Sequence, residues 1–344
     1  MPSTVLVITN DHDSHANAVI VELQKRRVPI FRFQPEDFPH ACSISIDIRD
    51  GCIEGEIQTA HHRVAFDEIC AAWFRRSRNE FAGPPNLTSE RLDNYVKAQS
   101  MATVIALCES LRTMWVGDPK RLRHAEIKAL QLAEAARAGL TTPHTLISND
   151  PTRAAAFVEG LGDTTECAIK PLIAVGVTDE HGYRLPFTTT LPAGHPLESV
   201  ALAPNMFQPY IEKAFELRCV VIGDSIFCAS INSQADDITR KDWRAGTREH
   251  AIFALPEDVA AAIRRLMASF GLNFASIDMI VTPAGEFVFL ELNPNGQWLW
   301  LENELGLPLV ASMADLLTMH HERSVPPTWD QERAEERSEA LPAA

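Results

Sequence analysis

Two strand-like segments joined by a tight turn constrain this chain more than any other feature of its sequence. Residues 277–282 and 286–292 are rich in β-branched and aromatic side chains, and a Pro-Ala-Gly turn lies between them. Proline and glycine between two such segments predict a β-hairpin. A turn centred just after Ala284 places Asp278 opposite Glu291.

The open end of this hairpin concentrates oxygen ligands. Side chains alternate along a strand, so Asn293 lies on the face of Glu291 and Asp278. The predicted neighbours on that face are the apolar residues Ile280, Phe287 and Phe289. Two carboxylates this close repel each other unless a cation lies between them, and Mg²⁺ or Mn²⁺ suits such oxygen ligands. A hairpin whose polar ends are simply solvated is the alternative.

Composition and charge exclude several classes of function. The chain has 344 residues, of which 46% are hydrophobic and 22% charged, as in a soluble protein of two or three domains. Its net charge of −15 argues against general binding to nucleic acid or to an anionic membrane. No segment approaches the ~20 apolar residues of a membrane span, and the N-terminus lacks a signal-peptide pattern. We therefore expect a cytoplasmic protein that binds neither nucleic acid nor a membrane.

The cysteines agree with that compartment. They number seven, and none lies in a CxxC pair or at a metal-ligand spacing. Most lie in apolar segments, so we expect buried, reduced thiols. A catalytic cysteine is the alternative.

The first part of the chain predicts an α/β domain. Strand, helix and strand character follow one another over residues 4–33, without the glycine pattern of a dinucleotide site. An Asp-Gly pair at 50–51 predicts a hairpin. A buried strand over 70–74 ends at Arg75 and Arg76, which either point into a ligand cleft or form a solvated edge.

Helices dominate the next part of the chain. After a Pro-Pro break, residues 89–112 predict one long amphipathic helix that packs on the sheet or against a second subunit. Its apolar positions include Leu92, Val96, Met101, Ile105 and Leu107. A second helix is predicted over 119–138, and after about residue 325 the chain is polar and charged, as in a frayed tail.

The hairpin end resembles the metal-binding end of ATP-grasp ligases. That family carries an Asp, then about a dozen residues, then E-x-N-x-x-x-G. This chain has Asp278, Glu291 and Asn293, with Gly296 one place early. The resemblance implies that the first three bind two Mg²⁺ ions.

Further segments, in the family's order, extend the resemblance over about half of the chain. Lys128 on a helix and Lys170 at a strand end resemble the two lysines that bind ATP phosphates. The segment QPYI at 208–211 resembles the hinge whose backbone contacts adenine, and Glu212 or Glu216 would then meet the ribose. The residues implied for ATP are therefore Lys128, Lys170, Gln208, Tyr210, Ile211, Glu212 and Glu216.

Two arginines resemble catalytic positions of the family. Arg218 matches an arginine beside the transferring phosphate, and Arg240 resembles a second one in ribosomal-protein-glutamate ligases. One segment departs from the pattern, because the loop after the second lysine holds only Gly176 and Gly182. A glycine-rich nest over the phosphates is therefore missing.

Narrower features resemble the graspetide or microviridin-type maturases, which are macrocyclases of ribosomal-peptide (RiPP) biosynthesis. These features are AWFRRS at 72–77, IEKAFELRCVVIGDSIF at 211–227, KDWR at 241–244 and NPNGQWLWLE at 293–302. Members of this group form ester or amide links between side chains of a precursor peptide. The resemblance implies a partner peptide with a leader and an acidic core, and a homodimer.

The implied chemistry is phosphoryl transfer from ATP. A carboxylate becomes an acyl phosphate, and an alcohol or amine then displaces phosphate, with Arg218 and Arg240 neutralising the charge. No Ser/His/Asp or Cys/His set for an enzyme-bound acyl intermediate is evident. The basic segment 240–250 would attract an acidic peptide, unless it is merely an exposed charged loop. Candidate peptide contacts are Arg75, Arg76, Trp243 and Arg244.

The implied fold class is α/β, an ATP-grasp fold of two α+β subdomains gripping ATP, after an N-terminal α/β pre-ATP-grasp domain. The predicted domains are 1–118, 119–210, 211–325 and a charged tail, 326–344. Two other functions stay open: a glutathione synthetase or ribosomal-protein-glutamate type of ligase, and a non-catalytic nucleotide-binding scaffold. The WLW cluster at 298–300 favours a peptide substrate.

Overall fold

A computed structural model describes the chain as two compact units. The residues it describes are 3–75, 81, 89–162, 165–173, 177–179, 182–184, 189–191, 194–233 and 249–319. One unit holds the described residues up to Asp118 together with those from Val310 onward, and the other spans Pro119–Leu309. The domain boundaries predicted from the sequence, at 118, 210 and 325, stay predictions.

The first unit is an α/β domain with two sheets. Its elements before Pro119 are β1 Thr4–Ile8, α1 Ser14–Lys25, β2 Ile30–Phe33, β3 Cys42–Arg49, β4 Cys52–Thr59, β5 Arg63–Ala65, β6 Ile69–Phe74, α2 Glu90–Ser110 and β7 Met114–Val116. Strands β2, β1, β6 and β7 pair in that order, all parallel. Residues 5–8 are fully buried, which explains the continuous apolar sequence of β1. The predicted β-α-β opening is confirmed.

The second sheet of this unit contains the predicted Asp-Gly hairpin. Strands β3 and β4 are antiparallel, and β5, which the sequence did not predict, adds a third strand. Asp50 and Gly51 have φ values of 53° and 80°. Two central residues with positive φ are what the commonest two-residue hairpin turn requires, and Asn, Asp and Gly adopt it most readily.

Helix α2 confirms the long helix predicted after the Pro-Pro break. Its inner face contributes Val104 and Leu107 to the core of the first unit. Leu92 and Ile105, both predicted on the apolar face, are exposed, as is Tyr95. The helix therefore carries apolar side chains that its own unit does not cover.

The seven cysteines are all free thiols. Five of them are buried and Cys108 is half-buried, as expected of reduced structural thiols. Cys52 departs from that expectation because it lies exposed at the β3–β4 hairpin.

The second unit holds three sheets and five α-helices within its described residues. In chain order its elements are α3 Pro119–Ala125, α4 Lys128–Arg137, β8 Leu146–Ser148, α5 Pro151–Gly160, β9 Cys167–Lys170, β10 Val177–Asp179, β11 Gly182–Arg184, β12 Thr189–Leu191, β13 Asn205–Pro209, β14 Phe215–Ile222, β15 Ser225–Ile231, β16 His250–Ile252, α6 Glu257–Ser269, β17 Phe274–Val281, β18 Phe287–Asn293 and α7 Leu299–Leu305. The sheets have the orders β12-β9-β13-β8, β10-β11 and β16-β15-β14-β17-β18, and all are antiparallel.

The single helix predicted over residues 119–138 is wrong. The chain leaves helical geometry at Ile127, where φ is −76° and ψ is 101°, so that α3 and α4 are separate helices. The break leaves the carbonyl of Ala125 without a helical partner, and the side chain of Gln131 donates to it from 2.6 Å. Consequently Lys128 is the first residue of a helix.

A last helix, α8 (Leu309–Thr318), ends the described part of the chain. In the first unit, Arg26 after α1 pairs with Asp315 on this helix. Within the described residues, we find no helix with both the length and the apolar character needed to cross a membrane.

Candidate active site

The β17–β18 hairpin forms with the predicted pairing at its open end. Asp278 lies opposite Glu291, and Ser276 lies opposite Asn293. Strand β18 is an edge strand, whereas β17 is flanked by β14 on its other side. The three predicted metal ligands therefore lie at one end of the ribbon, as the sequence indicates.

Toward the turn the pairing slips by one residue. The irregularity lies between Asp278 and Met279, so that Val288, and not the predicted Phe289, pairs with Ile280. An extra residue in one strand of an antiparallel pair is a β-bulge, and it reverses which side chains share a face. The prediction that Phe287 and Phe289 lie on the face of the carboxylates is wrong for this reason.

Arg218 joins the hairpin from the neighbouring strand. It lies opposite Asp278 on β14, and its Nη1 is 2.7 Å from Asp278 Oδ1. Its Nη2 donates to the carbonyl of Gln297 over 2.8 Å, and Asn293 Nδ2 donates to Asp278 Oδ2 over 3.1 Å. The Arg218 side chain is only 7% exposed. The structure thus brings the predicted catalytic arginine to the predicted metal ligands.

Lys128 reaches the second carboxylate. Its Nζ is 3.1 Å from Glu291 Oε1, and the two side chains are 20% and 36% exposed. Both carboxylates of the hairpin end thus have a cationic partner. Opposite charges at this distance attract each other, and the partial exposure of the side chains leaves the site open to water.

Lys170 ends β9 and belongs to the same charged cluster. Burial, and after it the positive charges of Lys128 and Lys213, lower the pKa of this lysine to about 8 against the opposing charge of Glu291. A lysine with a pKa near neutrality changes its charge within the working range of most enzymes.

Lys213 is a buried member of this cluster that the sequence did not single out. Its Nζ is 2.6 Å from Glu216 Oε1, and both residues are buried. Burial raises the pKa of Glu216, while Lys213 and a hydrogen bond from Ser233 oppose that rise. Glu212, in contrast, is exposed. Of the two predicted ribose contacts, Glu212 is therefore the one whose side chain is exposed enough to meet a ligand.

The predicted adenine hinge begins in the last two residues of β13 and continues beyond it. Gln208 is buried, and its Nε2 donates to Thr145 Oγ1 over 2.9 Å. The backbone N–H of Tyr210 donates to the carbonyl of Glu166 over 2.7 Å. An adenine contact from this segment would therefore use its other backbone groups, such as those of Ile211.

The turn after β18 is packed closely onto β17. A methyl group at Gly296 would lie 2.6 Å from Ser276 Oγ, in contact with Ser276 Cβ and 3.1 Å from Arg218 Nη2. The backbone N–H of Gly296 donates to the carbonyl of Asn293. A side chain at this position would push on both Ser276 and the arginine.

The predicted peptide contact at Arg75 is wrong. Arg75 is fully buried in the first unit, and its Nε is 3.2 Å from Asp13 Oδ2. Burial opposes ionisation of Asp13, but the hydrogen bond from His15 and the charge of Arg75 bring the pKa of Asp13 down to about 2. A guanidinium without exposed surface supports the domain and does not meet a peptide.

The other predicted peptide contacts and the second arginine lie outside the described residues. They are Arg76, Arg240, Trp243 and Arg244.

The donor set at the hairpin end fits a hard divalent cation. Asp278 and Glu291 contribute carboxylates that are 21% and 36% exposed, and Asn293 adds an amide. In the described part of the chain, no cluster of three or more His, Cys, Asp or Glu side chains is placed to hold a metal. Two carboxylates with an amide oxygen suit Mg²⁺, which keeps several waters and phosphate oxygens as its other ligands.

Family models match both parts of the chain. Residues 4–123 match a model described as an MvdD pre-ATP grasp domain. Residues 125–317 match a model described as a RimK-like ATP-grasp domain. The second match covers more than half of the chain.

A curated relative aligns with a smaller part of the sequence. It is a "Probable alpha-L-glutamate ligase" from Chromohalobacter salexigens, 28% identical over 114 residues. The aligned region is 33% of this chain and 37% of that protein, so the chain spans little more than a third of that relative's length.

Two solved structures are similar over nearly the whole chain. A Chryseobacterium gregarium RiPP-associated ATP-grasp ligase, in complex with ADP and a leader and core peptide, has a TM-score of 0.85 at 25% identity, covering 92% of this chain and 96% of its own. The macrocyclase MdnC from Microcystis aeruginosa MRC, bound with precursor peptide MdnA, has a TM-score of 0.79 at 29% identity, covering 91% and 99%.

Proposed function

This chain belongs to the RimK-like ATP-grasp family, and we propose that it is an ATP-dependent ligase that cross-links side chains of a ribosomally made precursor peptide. The hairpin end carries this proposal, because Asp278, Glu291 and Asn293 meet there with Arg218 and Lys128. Two relatives that align over more than nine-tenths of this chain, including its N-terminal domain, were solved with peptides.

The proposed reaction has two steps. An Asp or Glu carboxylate of the peptide attacks the γ-phosphorus of ATP, which yields an acyl phosphate and ADP. A Thr or Ser hydroxyl, or a Lys amine, then attacks the acyl carbon and releases phosphate. Each ester or amide formed removes one water from the peptide, and ATP drives that loss.

The residues of this chain would position and neutralise the reacting groups. Arg218 would stabilise the acyl phosphate as its negative charge develops, and Lys170 and Lys128 would hold ATP phosphates. Glu212 would meet the ribose. Magnesium, when bound by Asp278, Glu291 and Asn293, supplies positive charge at the transferring phosphate. Arg240, outside the described residues, stays the proposed second charge clamp.

The Lys128–Glu291 pair suggests how the site changes when it is loaded. With Glu291 engaged by a cation, Lys128 would lose its partner and be free for a phosphate oxygen. Metal and nucleotide would then bind with positive coupling. The metal takes Glu291 and leaves Lys128 free for a phosphate, and a phosphate on Lys128 leaves Glu291 free for the metal.

A ligase that adds a free amino acid to an acid is the second candidate. The partial alignment with the glutamate ligase from Chromohalobacter salexigens favours it. A scaffold without catalysis is the third, and the intact donor set at Asp278 and Glu291 argues against it.

One experiment separates the three candidates. The purified chain is incubated with Mg-ATP and an acidic peptide rich in Thr, Ser and Lys that is encoded beside its gene, and the peptide mass and phosphate release are followed. Loss of whole waters from the peptide, matched by equal phosphate release, supports the cross-linking ligase. A mass gain with added glutamate supports the second candidate. Phosphate release with no change in the peptide mass, with or without added glutamate, would contradict both ligase proposals.

We expect nucleotide affinity to fall as the pH rises through the pKa of Lys170. The protonated fraction of a group with a pKa of about 8 falls roughly tenfold between pH 7 and pH 9, so ADP affinity should fall by about the same factor. Calorimetry at pH 7, 8 and 9 measures the change. Lys170→Arg keeps its charge at all three pH values and should flatten the profile. An unchanged profile in that variant would show that another group titrates.

We also expect a homodimer in which α2 takes part. Leu92, Tyr95 and Ile105 leave apolar surface exposed on this helix, and burying such surface is favourable. Light scattering should give twice the mass of one chain at micromolar concentration. Tyr95→Glu should shift that mass toward the monomer. A monomeric wild-type protein, or a variant that dimerises as well as wild type, contradicts this assignment.

A further inference from the structure

Gln131 is a buried polar side chain to which the proposed mechanism assigns no role. It lies on α4, and its carboxamide makes three hydrogen bonds. Its Nε2 donates to the carbonyls of Ala125 and Leu292 over 2.6 and 2.8 Å, and its Oε1 accepts from the N–H of Leu292 over 3.0 Å. Both backbone groups of Leu292 are therefore satisfied by one side chain.

This pairing imitates a neighbouring β-strand. Leu292 belongs to β18, an edge strand, whose outward backbone groups must find partners elsewhere. Further along the same edge, the N–H of Phe289 donates to the carbonyl of Thr141 over 2.8 Å. Phe289 and Leu292 are three residues apart, and regular alternation would point their N–H groups to opposite sides. The bulge at this point in the hairpin is what turns both toward the same edge.

The residue that Gln131 holds lies between two proposed metal ligands. Glu291 precedes Leu292 and Asn293 follows it, so fixing both backbone groups of Leu292 limits the directions of both flanking side chains. Gln131 is also one helical turn from Lys128, which pairs with Glu291. One carboxamide therefore fixes the distance between the helix of the lysine and the strand of the carboxylate.

We propose that Gln131 is a positioning residue that holds Glu291 and Asn293 in the geometry of a divalent-cation site. The inference rests on the proposed function, because it takes these two side chains as metal ligands. A purely structural role is the competing explanation. Under that explanation, loss of Gln131 lowers stability through unpaired backbone groups and leaves the affinity for the cation unchanged.

The test uses Mn²⁺ as the probe and does not depend on turnover. Free Mn²⁺ is titrated by electron paramagnetic resonance against the full chain with saturating ADP, and thermal unfolding is recorded in parallel. Gln131→Met removes all three hydrogen bonds at similar side-chain length. Gln131→Asn keeps the carboxamide but shortens it by one methylene, and it serves if the first variant does not fold. Leu132→Ala is the matched control, since it removes a buried side chain from the next position of the same helix.

We expect Gln131→Met, or Gln131→Asn in its place, to raise the Mn²⁺ dissociation constant by about 10- to 100-fold, the usual effect of losing a residue that orients metal ligands. Leu132→Ala should lower the unfolding temperature without changing that constant. If the Gln131 variants unfold earlier but bind Mn²⁺ as tightly as wild type, the residue is structural and the proposal is wrong. If wild type and Glu291→Gln bind Mn²⁺ equally weakly, the metal assignment itself fails, and this inference fails with it.

Discussion

Replacing Glu291 by glutamine is expected to lower the rate of ATP-dependent peptide modification by about two to three orders of magnitude. The loss of one charge that organises the transferring phosphate costs about 3–4 kcal/mol of transition-state stabilisation, which corresponds to that factor. The fold should survive, because Glu291 and Lys128 are 36% and 20% exposed, and an exposed pair contributes at most about 1 kcal/mol. Single-turnover rates and thermal unfolding measure the two effects separately.

Glu286→Gln is the matched control for this substitution. Glu286 is exposed, precedes the same strand and loses the same charge, but it lies at the turn end of the hairpin. It should retain wild-type rates. Equal rates for wild type and Glu291→Gln would remove Glu291 from the site.

Asp278 gives a less clean test of the same idea. It is the partner of Arg218, whose side chain is only 7% exposed. Removing the carboxylate leaves a buried guanidinium without its counter-charge, which typically costs about 3–5 kcal/mol of stability. We therefore expect Asp278→Ala to lose stability as well as activity, so that its inactivity alone would not identify a metal ligand.

Gly296→Ala is expected to lower activity by about a hundredfold and to destabilise the protein by about 1–3 kcal/mol. The added methyl group would lie 2.6 Å from Ser276 Oγ and 3.1 Å from Arg218 Nη2. Forcing a group into such a contact displaces its neighbours at roughly that cost in stability. A shift of the guanidinium by about 1 Å would misplace the group that faces the reacting phosphate, and errors of that size can cost a hundredfold.

A second substitution tests the steric explanation. Ser276→Gly removes the two side-chain atoms that the new methyl group would meet, so the double variant should recover most of the lost activity. Ser276→Gly alone supplies the baseline, since glycine within a strand is itself destabilising. Failure of the double variant to exceed Gly296→Ala would show that the turn is disturbed in some other way. The measurements are steady-state rates and denaturant unfolding of the wild type, the two single variants and the double variant.

The open end of the hairpin could be predicted from sequence because local rules determine it. A Pro-Ala-Gly turn and the two-residue alternation of strands place Asp278 opposite Glu291, and the structure confirms that pair. The bulge could not be predicted in this way. The extra residue of the bulge is Leu290, which lies between Phe289 and Glu291 and pairs with no residue of β17. It is apolar like the residues before it, so the sequence pattern does not mark it.

Other departures from prediction come from tertiary contacts. The break between α3 and α4 contains no proline or glycine, and the side chain of Gln131, six residues after Ala125, satisfies the Ala125 carbonyl that the break exposes. Gln131 and Lys213 look like ordinary solvated residues in the sequence, and only the fold shows them buried with partners. Arg75 was expected in a ligand cleft or on a solvated edge, and the structure instead buries it in an ion pair with Asp13.

The cationic partners of the two hairpin carboxylates bear on how the protein matures in the cell. In small zinc domains the ion supplies the free energy of folding, and a chelator unfolds them. Here Arg218 and Lys128 already balance Asp278 and Glu291, so the chain should reach its native structure before any divalent ion arrives. Scarcity of magnesium would then leave a folded but inactive enzyme that resumes work when the ion returns.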